Sequence, residues 1–331
     1  MISARAFASG VLVLLLSTAA SRQARAYCRT GTCPLPANYA PKAGACEPAD
    51  HTSCVVDGKQ VKNVPLWWRS PCTSYDLQLG ASKSVSLADA TAVAEAVFQT
   101  WTSSANPSPG GMPLSMTATD LGPVACGEVG YHSDRKNQHV IVFRDSDWPN
   151  SRGELALTTM SFEVTTGEIF DADIEINTAD FKFTTHGEGG VDLAHVLTHE
   201  VGHFFGLAHS PDAPSVMARA GTPGAALFPD DVAGIYFLYP PTGKRPVDTS
   251  VDPSGAIQAS ACDAKPRHGF STECDAGADD VQPGANKSSC QCGLAAPRPT
   301  RGIFCLTALC VASLVARRSR RGAPQRGGLT R

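Results

Sequence analysis

One stretch constrains this chain more than any other: His199-Glu200-Val201-Gly202-His203-Phe204-Phe205-Gly206-Leu207-Ala208-His209-Ser210. His199 and His203 are four residues apart, so on a helix they project from one face, a turn above each other. Two imidazoles at that spacing can share one Zn²⁺ at ~2.0–2.1 Å per nitrogen. Glu200 follows His199 by about 100° round the helix, where it reaches water at the metal rather than the metal itself. Gly206 stops the helix, because without a Cβ it takes the left-handed conformation that turns the chain back. That reversal lets His209, six residues past His203, supply a third nitrogen. Three protein ligands leave the fourth tetrahedral position to water, as in catalytic rather than structural zinc sites.

A bland reading competes with this one. The stretch could be an amphipathic helix with a solvated polar face and with Phe204, Phe205 and Leu207 as core. That leaves Gly206, His209 and the later Met217 unexplained. His195 lies one turn before His199 on the same face. As a fourth ligand it would close the site; we read it instead as a hydrogen-bonded helix residue.

The pattern H-E-x-x-H-x-x-G-x-x-H, followed by a methionine turn at Ser215-Val216-Met217, resembles the metzincin metallopeptidases. Ser210, directly after the third histidine, makes it similar to their matrixin branch. The resemblance covers residues 64–241. It implies an α+β domain: a twisted, mostly parallel five-stranded sheet with an antiparallel edge strand, and three helices. It implies one catalytic Zn²⁺ on His199, His203 and His209, with Glu200 as general base. Met217 is then an apolar support beneath the histidines, not a ligand. The edge strand, similar here to residues 154–159 with Leu155, Ala156 and Leu157, borders the cleft and pairs with extended substrate. Animal matrixins insert a loop carrying a structural zinc before that strand. Only ten residues separate Arg144 from Leu155 here, so a single zinc is expected. Calcium is a candidate at Asp173 or Glu175, although a solvated sheet face explains those carboxylates more simply.

Both ends read as processing signals. Residues 1–26 combine Arg5, an apolar run over residues 10–16 and the small-x-small sequence Ala24-Arg25-Ala26, as in a secretory signal peptide. Residues 303–316 are apolar and are followed at once by Arg317, Arg318, Arg320 and Arg321. Fourteen residues make ~21 Å of helix, short of a ~30 Å hydrocarbon core. With Cys290 and Cys292 before it, this end resembles the MYXO-CTERM sorting tail of myxobacterial surface proteins. The expected product is exported, at the cell surface or outside the cell, and touches membrane only through residues 290–331.

The formal charge of −3 comes from 28 basic and 31 acidic residues. Setting aside the eleven arginines of the two end segments leaves 17 basic against 31 acidic residues, or −14. Such a surface repels polyphosphate, which argues against nucleic acid as a partner. A monomer is expected. Twelve cysteines suit an oxidising compartment. Cys28, Cys33, Cys46, Cys54, Cys72 and Cys126 precede the zinc motif, and Cys262, Cys274, Cys290 and Cys292 follow it. These even groups suggest separate disulfide sets; Cys305 and Cys310 lie in the apolar tail.

Residues 27–62 read as a disulfide-tied N-terminal extension. They hold no P-R-C-G-type motif of the kind that keeps secreted matrixins latent, which leaves Cys28 or Cys33 as remote candidates for such a role. A first strand is predicted over residues 73–78. The capping-box start at Ser86-Leu87-Ala88-Asp89 opens a helix reaching about residue 102, with Ala90, Val93, Ala94, Val97 and Trp101 as its apolar stripe. Residues 112–137 read as a loop; its His132-Ser133-Asp134 lacks matching histidines, so no second zinc is placed there. Residues 139–144 read as a buried strand. Residues 155–164 and 168–177 read as a hairpin about Thr165-Thr166-Gly167. In the second of these, Phe170, Ala172, Ile174 and Ile176 alternate with Asp171, Asp173, Glu175 and Asn177, one face core and the other polar. Asp192 is the expected N-cap of the zinc helix, and Asp230 opens a last helix that Pro240-Pro241 ends. The domain is expected over residues 63–241, with a polar, Cys-containing linker at 242–289.

The function implied is a zinc-dependent endopeptidase acting on protein or peptide. The alternative is a non-catalytic zinc-holding surface module for adhesion. Glu200 counts against it, since retaining a metal does not itself require a carboxylate there.

Overall fold

The computed structural model describes residues 27–33, 53–56, 58–103, 113–211, 214–219, 223–245 and 262–274, and the backbone of 287–289. The signal-type segment, Cys46, Cys290, Cys292 and the arginine-flanked apolar tail lie outside the described residues. Among the described residues no helix is long and apolar enough to cross a membrane.

In chain order, β1 (Cys28–Arg29) precedes an antiparallel hairpin of β2 (Ser53–Val56) and β3 (Lys59–Lys62). A Cys33–Cys54 disulfide ties this extension together. Strand β4 (Cys72–Gln78) begins the main sheet. Helix α1 (Leu87–Thr102) starts where the capping signal places it: Ser86 Oγ accepts from the Asp89 N–H at 3.2 Å. The segment read as loop contains strand β5 (Thr117–Val124), parallel to β4. Gly122-Pro123 and half-exposed alternation hide it, because an edge strand needs few apolar residues. Next come β6 (Val140–Phe143), β7 (Ala156–Phe162) and β8 (Ile169–Ile176). At the β7–β8 turn Gly167 has φ +73°, and a Cβ there would meet the Pro65 carbonyl at 2.2 Å. Two short parallel strands, β9 (Phe183–Thr184) and β10 (Val191–Asp192), lead into α2 (Leu193–Phe204). Asp192 caps that helix through Ala194 N–H at 3.0 Å, as expected. Strand β11 (Leu207–Ala208), α3 (Pro229–Leu238) and β12 (Lys287–Ser289) complete the order.

The sheet runs β7-β8-β6-β4-β5, parallel except for the antiparallel β7–β8 pair. Strand β12 adds antiparallel on the outer side of β7, so β7 borders the site without being the outermost strand. One sheet face receives α1 and α2. Tyr75 of β4 stacks on Phe98 of α1 at 3.9 Å, and Phe98 meets Phe204 and Phe205 edge-on. Trp101 Nε1 donates to the Thr198 carbonyl at 2.9 Å, joining the two helices inside the core. Arg245, 4% exposed, donates to the Trp68, Ser70 and Ser115 carbonyls and lies over the Tyr239 ring, which closes the domain behind α3.

The other sheet face departs from expectation. The carboxylates read as solvated are buried: Asp171, Asp173 and Glu175 are 0%, 1% and 5% exposed. Residues 125–139 and 262–274 cover them. Ala125 N–H donates to the Thr272 carbonyl, Asn137 N–H to that of Gly269, and Phe270 packs on Val124, Val140 and Val142. Disulfides Cys72–Cys262 and Cys126–Cys274 hold this cover in place. They also correct the expectation of separate cysteine sets, since each joins a cysteine before the zinc motif to one after it. The polar alternation in β8 marked a true two-faced strand, but exposure depends on a segment about a hundred residues away.

Candidate metal centre

Helix α2 presents His199 and His203 from one face, and the turn at Gly206 (φ +95°) returns the chain so that His209 meets them. A ligand atom of each lies within 4.8 Å of the others, and the three residues are 0%, 0% and 3% exposed. His199 Nδ1 donates to the Val216 carbonyl at 2.6 Å and His203 Nδ1 to the Leu207 carbonyl at 2.8 Å. A carbonyl only accepts, so both Nδ1 atoms carry the proton and both Nε2 atoms carry a lone pair. Those Nε2 atoms face each other at 3.1 Å. Two lone pairs that close repel, whereas nitrogens sharing a tetrahedral ion sit roughly 3.3 Å apart. Burial, and then the neighbouring histidines, push His199 well below the usual imidazole range and His203 down to about 3. A proton is therefore a poor occupant, and the set fits a divalent cation that prefers nitrogen.

The support around the triad explains its glycines. A Cβ on Gly202 would stand 2.2 Å from Met217 Sδ and 2.9 Å from Trp101, so the helix rests directly on the methionine. A Cβ on Gly206 would meet the Leu66 carbonyl at 2.8 Å. Asp231, in the first turn of α3, accepts from Ser215 Oγ at 2.5 Å and from Val216 N–H at 3.0 Å. It thereby fixes the turn whose Val216 carbonyl orients His199. Thr30, following β1, donates its hydroxyl to the Leu207 carbonyl at 3.0 Å, the same oxygen that orients His203. The Thr30 N–H binds the Gly206 carbonyl at 2.9 Å, and β1 pairs with β11.

Glu200 is wholly buried on the sheet side of the triad. Thr158 of β7 donates to its Oε2 at 2.7 Å, and Oε1 has no hydrogen-bond partner. Burial, opposed by the Thr158 bond and assisted by Glu154, raises its carboxyl to about 8. A cation at the triad would act in the opposite direction and favour the carboxylate.

Other sequence candidates fall as follows. Leu155 and Ala156 lie in the core under α2, and Leu157 pairs across β7–β8 with Glu175; all three are buried. His195 turns from the triad to the Gly224 carbonyl at 2.9 Å. The Asp173 carboxylate accepts from Gly130 and Val140 N–H at 2.6 and 2.8 Å, and Glu175 pairs with Arg144 at 2.7 Å, so protein donors occupy both calcium candidates. Cys28 and Cys33 are disulfide-bonded, which removes them as thiolate ligands. Sequence reading missed Thr158, Asp231 and Thr30. Thr158 had a signal, since it directly follows the three residues proposed for the cleft; Asp231 had none beyond its place next to Asp230 at the start of the last helix.

Comparison with known proteins agrees with this geometry. The matrixin family model matches residues 67–240, more than half of the chain. Metalloendoproteinase 1-MMP of Arabidopsis thaliana is 40% identical over 74 residues, covering 22% of this chain and 20% of that relative. Matrix metalloproteinase-19 of Mus musculus is 49% identical over 63 residues, covering 18% and 11%. Probable matrix metalloproteinase 095L of invertebrate iridescent virus 3 is 34% identical over 86 residues, covering 25% and 23%. The matches thus span less than a quarter of these relatives' length.

Proposed function

We propose, from the premise that the chain belongs to the matrixin family, that it is an exported, zinc-dependent endopeptidase hydrolysing peptide bonds in proteins or peptides. The observation that carries this reading is the buried Glu200 carboxylate, anchored through one oxygen by Thr158 and unpartnered at the other, beside three converging imidazoles.

His199, His203 and His209 would hold the ion, which when bound supplies Lewis acidity to a water and to a peptide carbonyl. Thr158 keeps Glu200 Oε2 in place, so Oε1 is the atom that takes a proton from the attacking water. The same carboxyl then returns that proton to the departing nitrogen. One C–N bond is broken and one water consumed. The Val216 and Leu207 carbonyls keep both imidazoles in the tautomer whose Nε2 can donate a lone pair. An extended substrate would add to the outer side of β7, a position where β12 already shows an antiparallel backbone. The three disulfides support export to an oxidising compartment.

Glu200→Ala should retain stoichiometric zinc while casein hydrolysis falls by about 10²–10⁴-fold or more, the scale of general-base removal. Metal analysis together with a casein assay tests this. Zinc retained with unaltered hydrolysis would remove Glu200 from the reaction. Zinc retained with no hydrolysis even in the wild type would favour the metal-holding adhesion module.

A further inference from the structure

A buried strap stands behind two of the three imidazoles. Residues 28–33 run between the Gly206 turn on one side and residues 62–66 on the other. On the first side β1 pairs with β11, Cys28 opposite Ala208 and Arg29 opposite Leu207. Thr30 N–H donates to the Gly206 carbonyl at 2.9 Å, and its hydroxyl to the Leu207 carbonyl at 3.0 Å. That Leu207 carbonyl orients His203, and the turn at Gly206 brings His209 round. On the second side the Thr30 carbonyl accepts from Leu66 N–H at 2.8 Å, and Thr32 N–H donates to the Val64 carbonyl at 2.9 Å. Thr30 and Thr32 are buried, so these bonds are made away from water. His199 is held separately, by the Val216 carbonyl and Asp231.

The strap is also pinned covalently. Cys33 closes a disulfide with Cys54 of β2 across 21 residues. Cys54 pairs with Val61 of β3, and the Asn63 side chain just beyond that strand accepts from Cys33 N–H at 3.1 Å. Cys28, at the other end, is disulfide-bonded as well. Six residues docked by hydrogen bonds alone lose conformational entropy that such bonds barely offset. A cross-link removes much of that cost beforehand.

We propose that this strap is a positioning element of the metal centre, held by the Cys33–Cys54 disulfide, and that the centre reaches full zinc affinity only once that bond has formed. The proposal names a regulation of the site and rests on the peptidase reading above. The bond forms by exchange: the two thiols lose two protons and two electrons to the disulfide of a carrier, which leaves as a dithiol. The consequence is a peptidase that completes its metal centre where disulfides persist.

The test is zinc affinity of the full chain by chelator competition, with Co²⁺ absorption and casein hydrolysis alongside. A reductant would also open Cys72–Cys262 and Cys126–Cys274, so the paired substitution Cys33→Ser with Cys54→Ser is used. It should bind zinc about three- to tenfold more weakly and shift the visible Co²⁺ bands, which report ligand geometry. Thr30→Val should weaken binding about tenfold with the disulfide intact, and Thr30→Ser should keep wild-type affinity. Adding Thr30→Val to the paired variant should bring little further loss, since both act through one carbonyl. Wild-type affinity in the paired variant overturns the proposal, as does a loss in the triple variant equal to the product of the separate losses. Wild-type affinity in Thr30→Val overturns it even where the paired variant fails to fold. A wild type that binds zinc without cutting casein overturns the peptidase reading and leaves the effect of the strap on the metal standing.

Discussion

At the scale of single residues, the centre depends on contacts that a motif encodes only as letters. Gly202 is required because Met217 Sδ fills the space where a Cβ would stand, 2.2 Å away. Gly202→Ala should therefore cost about 1–3 kcal/mol through overpacking, read as a lowered urea midpoint. An unchanged midpoint would mean that the methionine turn yields freely. Thr30 acts at a distance from the motif, through the carbonyl that orients His203. Thr30→Val should weaken zinc binding by about tenfold in a chelator competition, the scale of lost outer-shell support, while Thr30→Ser keeps the hydroxyl and the affinity. Equal affinity in the Val variant would assign Thr30 to packing alone.

At the scale of elements, the two sheet faces have opposite chemistry although both are buried. The helix side is apolar and aromatic. The other side encloses carboxylates, and burial, with smaller contributions from Asp120 and Asp173, raises Asp76 to about 8 against the His139 N–H bond. Its value in an unfolded chain is about 3.9. Between those values the folded state holds a proton that the unfolded state has released, so stability falls as pH rises from about 4 to 8. Asp76→Asn has no such proton to lose. Comparing urea midpoints at pH 5 and pH 8 should show a smaller fall in the variant, and an identical fall would place the pH dependence elsewhere. Much of this level was legible beforehand: α1 and α2 begin at the caps their sequences announce, and the β7–β8 hairpin turns at its glycine. Strand β5 was not legible, because its partner β4 supplies the pairing that its own residues do not signal.

At the scale of the molecule, the C-terminal cover makes residues 262–274 part of the fold rather than a linker. Its disulfides close separations of 190 and 148 residues, where constraint on the unfolded chain is large. Replacing Cys126 and Cys274 together by serine should cost ~2–4 kcal/mol and raise deuterium uptake at residues 137–140, which the cover now shields. Wild-type exchange in the variant would show that packing of Phe270 suffices.

His199, Glu200, His203 and the helix that bears them were determined locally, since a fixed spacing on a 3.6-residue turn has one geometric outcome, and the Gly206 turn then brings His209 to them. The sheet's second cover, the disulfide partners, Thr30 behind His203 and β12 along β7 were decided only by tertiary structure. Each joins residues far apart in the chain, and no periodicity within either partner specifies the other.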